Sequence, residues 1–174
     1  AAFNMKFFSE EKKIKTFPLL LSSPVTSWQL VLSKIIVGGT VLFSLLSVSA
    51  VLPLSLVFFA EVPLKLLFLS YFGAFIVLMT YISAGVFASA LTDSLIVSVV
   101  LAIVLNVSLL LMGVGREFVE TLFWREFFHF LSIDYHFAFF RVGSFSLASV
   151  IFLSSITFFF AFLSERIIEF HRWK

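Results

Sequence analysis

Cysteine is absent from this chain, which excludes disulfides, thiolate nucleophiles and cysteine metal clusters and leaves the redox compartment unmarked. Charge is scarce as well. Asp, Glu, Lys and Arg make up 13% of 174 residues, against 61% hydrophobic, a balance outside that of water-soluble domains. No GxxxxGK[ST] phosphate cradle occurs, so the chain does not hydrolyse ATP by that route, and no serine sits in a GxSxG elbow. A Ser-His-Asp set built on His136, Asp134 and an intramembrane serine is disfavoured, because helical serines usually bond to their own backbone. His129 and His136 lack a second ligand at i+4 and read as interfacial histidines, not as metal ligands. The cluster Lys12, Lys13, Lys15 is too short to suggest nucleic acid and suits topology and anionic lipid.

What is present is hydrocarbon. Four runs free of Asp, Glu, Lys and Arg, residues 35–60, 66–92, 94–115 and 142–164, each reach the roughly 20 residues that cross about 30 Å of bilayer core as a helix. They predict an all-α polytopic membrane protein, a single transmembrane domain over residues 1–174 with four spans. Ion-coupled carriers mark their pathway with intramembrane ionisable groups at about 2.5–3.5 kcal/mol each, and none lies mid-span here. With four spans, Lys6, Lys12, Lys13, Lys15, Lys34, Arg166, Arg172 and Lys174 share one side, and Lys65, Arg116, Arg125 and Arg141 lie on the other. The positive-inside rule then places both ends in the cytoplasm.

The polar passage at residues 7–34 precedes the first span. Ser22, Ser23 and Pro24 predict a helix start, since serine caps free amides and proline fits the first turn. Trp28, Val31, Leu32 and Ile35 follow at helical spacing as an apolar stripe that feeds into the span, and Pro18 breaks any helix arriving from upstream. Pro53 predicts a kink near the outer end of that span, and Glu61-Val62-Pro63 closes it. Ala84, Gly85, Ala88 and Ser89 form two small-xxx-small pairs suited to close helix packing, and Asn106 is an amide that needs a partner inside the membrane. Residues 116–141 mix charges with Phe, Trp and Tyr, which predicts one or two short helices that lie along or dip into the outer leaflet. Residues 165–174 form a charged cytoplasmic tail. Glu117, Glu120, Glu126 and Asp134 are read as balancing Arg116, Arg125 and Arg141.

A resemblance sharpens this. MKFFSEEKKIKTFPLLLSSPVTSWQLVLSK, from Met5, resembles a segment of ABC-2 type permeases of the gliding-motility subfamily, with Met5, Phe8, Glu10, Glu11, Thr16, Leu19 to Leu21, Ser23, Pro24, Val25 and Lys34 in place. ISAGVFASALTDSLIV, LSIDYHFAFFRVG and ERIIEFHRW are similar to further segments of that family in the same order. The resemblance implies the membrane-spanning subunit of an ATP-driven exporter in a bacterial inner membrane, not an enzyme and without a cofactor of its own. ATP and Mg would lie on a separate ABC ATPase. Glu10, Glu11, Ser23, Pro24, Val25, Trp28 and Lys34 would belong to a coupling helix that docks on that ATPase. Family members usually have six spans, so this chain would hold spans three to six. A second permease subunit, alike or different, and a membrane protein with a large extracytoplasmic domain are further implied partners. Lys15, Pro18, Asp93, Ala138 and Phe139 depart from the family pattern. A second reading is a noncatalytic scaffold that tethers an ATPase or surface machinery; the spans, with only Ser, Thr, Asn and apolar residues, name no cargo.

Overall fold

In a bilayer every backbone amide must be satisfied within its own segment, and apolar sequences of this length resolve that as helices. The computed structural model describes residues 26–60, 63–114 and 121–172, without the side chains of 56–60, 122, 171 and 172. Seven helices occur in them: α1 Ser27–Ser49, α2 Val51–Ala60, α3 Leu64–Leu91, α4 Leu95–Leu111, α5 Leu122–Leu131, α6 Ile133–Arg141 and α7 Leu147–Arg172. Three stretches are long and apolar enough to cross a membrane: Ser27–Ser55, Leu64–Leu91 and Leu147–Phe170.

The sequence predicts four spans, and the third of them differs. Helix α4 has 17 residues, which at about 1.5 Å per residue reach roughly 25 Å, short of the hydrocarbon thickness. Apolar composition continues past Leu111, but the chain turns at Met112 and Gly113; composition measures the run of grease, not the length of the helix. The last span also shifts. It starts at Leu147 because residues 142–146 are spent on a turn, and it continues as one helix through the expected tail to Arg172. Arg166, 3.4 Å from Glu169 and 3.6 Å from Glu165, supports that charged helical end. In the first span the break falls at Ala50, where Pro53 has no N–H to offer the Ser49 carbonyl.

Two compact units divide the described residues. The first takes 26–39, 79–106 and 155–172. Here α3 is enclosed by its neighbours: Ser83, Ala84, Val86, Ala88 and Ser89 are all fully buried. Ala88 packs with Ala102 of α4, flanked by Val99, Leu101 and Leu105. Thr80 and Thr157 hydroxyls, 3.1 Å apart, bond α3 to α7, and the Phe87 and Phe160 rings meet at 5.7 Å. Gly39 of α1 lies so close to α3 that a methyl group there would stand 3.0 Å from Met79 Sδ.

The second unit takes 40–60, 63–78, 107–114 and 121–154. Its tightest approach is between α3 and α6. A Cβ on Gly73 would come 2.5 Å from Phe140 Cβ, and the Phe140 side chain is completely buried. Ser70 Oγ donates to the Phe140 carbonyl at 3.2 Å, and the Phe72 ring stands edge-on to Phe140 at 6.2 Å. Helix α6 ends in a Schellman turn: Gly143 has φ +72°, Gly143 N–H bonds to Phe140 O and Ser144 N–H to Phe139 O. Glycine adopts that conformation without the strain that a side chain brings, and a Cβ there would stand 3.0 Å from Leu66 Cδ1.

Two glycines of α3 separate these effects. Gly73→Ala is expected to lower stability in detergent by about 1–3 kcal/mol, the cost of overpacking, whereas Gly85→Ala, whose methyl meets nothing within 4 Å, is expected to be neutral or slightly stabilising. Thermal unfolding of the two variants checks this; equal midpoints would contradict the close α3–α6 approach.

Candidate functional site

Two places combine polar chemistry with defined geometry: the start of α1 and the α5–α6 pair. Helix α1 begins with a capping box. Thr26 N–H donates to Gln29 Oε1 at 3.0 Å, and Gln29 N–H donates to Thr26 Oγ1 at 3.3 Å. A cap thus falls at Thr26, whereas the Ser22-Ser23-Pro24 start that the sequence predicts lies outside the described residues. From there α1 runs unbroken to Ser49, so the amphipathic stretch and the first span are one rod.

The buried stripe of this rod is Ser27, Leu30, Val31, Ile35, Gly38 and Gly39. Val31 and Ile35 belong to the predicted stripe, but Leu32 is exposed and Leu30 takes its place. Trp28 is half-buried, its ring edge-on to Phe158 of α7 at 5.6 Å. Lys34 is half-buried on the same helix. Glu10, Glu11, Pro18, Ser23, Pro24 and Val25 lie outside the described residues.

Among the residues singled out for packing, Ala84, Gly85, Ala88 and Ser89 are all buried in α3. Gly85 nevertheless has open space where its side chain would be, and among the described residues close approaches are made at Gly39, Gly73 and Gly113 instead. Asn106 Oδ1 is buried on α4 and, like Ser98 Oγ, makes no hydrogen bond within the described residues.

The aromatic segment folds as two short helices joined at Ser132, which ends α5 and caps α6 by accepting from Tyr135 N–H at 3.5 Å. Gly113 presses directly on it: a Cβ there would stand 2.5 Å from Ser132 Oγ. His136 is buried between the pair and α7. One ring nitrogen, Nε2, lies 2.9 Å from the Phe130 carbonyl, which can only accept, so Nε2 carries the hydrogen. Nδ1 then accepts from Ser149 Oγ at 3.0 Å, and Ser146 Oγ follows at 3.1 Å. The imidazole also stacks on Phe152 with centroids 4.1 Å apart. This arrangement is no catalytic triad, because the second nitrogen is held by a backbone carbonyl and not by a carboxylate. No group of three or more metal-ligating side chains occurs among the described residues.

Burial pushes the His136 imidazole below the ordinary histidine value; the Phe130 carbonyl works in the opposite direction, and His129 adds to the lowering. The folded value is depressed, so the folded state is favoured fully above the unfolded pKa near 6.5 and loses stability as pH falls through it. Thermal unfolding at pH values from about 7.5 down to about 5 is expected to show a declining midpoint that flattens in His136→Gln. An identical pH profile in that variant would remove His136 as the cause.

Comparison with known proteins agrees with this geometry at the level of family. No curated protein and no solved structure matches the chain. The family described as ABC-2 family transporter protein matches residues 1–163. That span takes in α1 to α6 and most of α7, including all three long apolar stretches up to Leu163. The chain therefore belongs to the ABC-2 family of transporter proteins, non-catalytic membrane components of transport systems that typically work with an ABC ATPase.

Proposed function

We propose that this chain is the permease subunit of an ATP-driven exporter of the gliding-motility type, in which a separate ABC ATPase, holding ATP and Mg, acts on the segment around residues 7–34. The observation that carries this reading is the continuity of α1. A capped helix that enters the first span without a break transmits a push as a rigid-body tilt, which a loop would dissipate. Trp28 extends the lever, because its contact with Phe158 makes α7 move with α1. The driving energy belongs to the ATPase, whose nucleotide states must bind two permease conformations with different affinity.

In this reading Glu10, Glu11, Ser23, Pro24, Val25 and Lys34 lie at the ATPase surface. Both ends of the chain are cytoplasmic, α4 completes a fourth crossing by sitting in locally thinned bilayer, and the α5–α6 pair lies at the outer face. A second permease subunit, identical or different, completes the pathway. A membrane protein with a large extracytoplasmic domain is a further partner of such assemblies.

Val25→Asp places a charge in the proposed docking surface and is expected to lower ATPase copurification about tenfold, the scale of one lost interface anchor. Undiminished copurification with undiminished transport-coupled hydrolysis would overturn the docking assignment. Retained ATPase binding without ATP-dependent flux in inverted vesicles of the unaltered protein would favour a scaffold.

A further inference from the structure

We infer that the cavity between the end of α4 and the α5–α6 pair binds an amine-bearing head group. The cavity has a volume of about 540 Å³, in the range that holds a small molecule and not a folded partner. Leu110 and Val114 line it from the end of α4, and His129, Ser132, Asp134 and Tyr135 line it from the helix pair. The lining is thus amphipathic.

Four polar side chains of that lining are not equivalent. Ser132 is occupied in capping α6. Within the described residues, the Asp134 carboxylate forms no ion pair or hydrogen bond, and neither the Tyr135 hydroxyl nor the His129 ring nitrogens form a hydrogen bond. The contrast with His136 is sharp, since both of its ring nitrogens are engaged a few ångströms away. Asp134 is exposed and Tyr135 and His129 are half-buried, so a ligand can reach these three polar groups on one cavity. A place in the first turn of α6 favours the Asp134 charge through the helix dipole, but that does not account for its two idle neighbours.

Charge selects the ligand class. Among the described residues, Asp134 is the only formally charged group lining the cavity, which the Tyr135 and His129 rings, their centroids 4.2 Å apart, also line. A carboxylate next to aromatic rings attracts an ammonium group through both charge and ring quadrupole. A phosphate or carboxylate without an attached cation would instead meet an uncompensated negative charge. The apolar part of the lining suits the carbon skeleton that carries the amine. Such a group can arrive on a lipid or as a free amine. This inference needs neither transport nor an ATPase, so it stands or falls apart from the permease reading.

The test uses the purified full chain, equilibrated with equimolar phosphatidylethanolamine and phosphatidylglycerol of identical acyl chains, with retained lipid read by native mass spectrometry. The unaltered chain is expected to retain phosphatidylethanolamine in about threefold preference, the discrimination of roughly one solvent-exposed ammonium contact. Asp134→Asn is expected to abolish the preference, and Asp134→Glu to keep it, with circular dichroism showing that both variants fold. Displacement of the lipid by free ethanolamine would mark the amine alone as sufficient; an Asp134-dependent preference that ethanolamine does not disturb would mark the lipid as the ligand. Equal retention of the two lipids, or an unchanged preference in Asp134→Asn, would overturn the inference.

Discussion

Close approach at small residues is the constraint on which this structure rests. Lipid tails are as apolar as leucine, so burying a leucine against another helix gains little, and helices associate through contact packing and hydrogen bonds. The closest contacts are accordingly made where a side chain is missing: Gly73 beneath Phe140, Gly39 beside Met79 and Ala88 against Ala102. Hydroxyls add to them where they face each other, as in Thr80 and Thr157. Six serines are spent locally. Ser33, Ser44, Ser47, Ser55, Ser83 and Ser164 each donate to a carbonyl three or four residues back, which satisfies them in hydrocarbon without marking a pathway.

The site follows from those contacts. Phe140 seated on Gly73 fixes α6 against α3, and the Ser70 bond to the Phe140 carbonyl locks its rotation. That position brings His136 to Ser149 of α7 and ties α5 back through the Phe130 carbonyl. A short helix pair that would have little stability alone is thus held by α3 and α7 and tied together internally. His136, with both nitrogens bonded and its ring stacked on Phe152, is the structural histidine of the pair; His129 is left to the cavity.

Much of the helical content was legible in the sequence, because long charge-free runs in a chain this apolar have one solution. The aromatic segment was legible too, as one or two short helices. Helix ends were not. Met112-Gly113 stops α4 inside an apolar run, because Gly113 is needed against Ser132, and that requirement comes from a residue that the sequence places far away. The Thr26-x-x-Gln29 box was readable as a start signal. Gly73 carries no local sign of its importance: its reason is Phe140. The small-xxx-small pattern points to buried positions, but Gly85 shows that such a pattern does not locate the contact that needs a glycine.

In the proposed mechanism α1 and α7 move as one lever, and the contact between them is that of Trp28 with Phe158. The absence of native cysteine allows a direct measurement with spin labels at two introduced ones, Leu32→Cys on α1 and Phe159→Cys on α7, both exposed positions that leave the Trp28–Phe158 pair intact. Double electron–electron resonance in the assembled transporter should give a single narrow distance that stays the same with and without ATP. A distance that broadens or shifts when ATP binds would show that the two helices move apart, and the lever would be excluded.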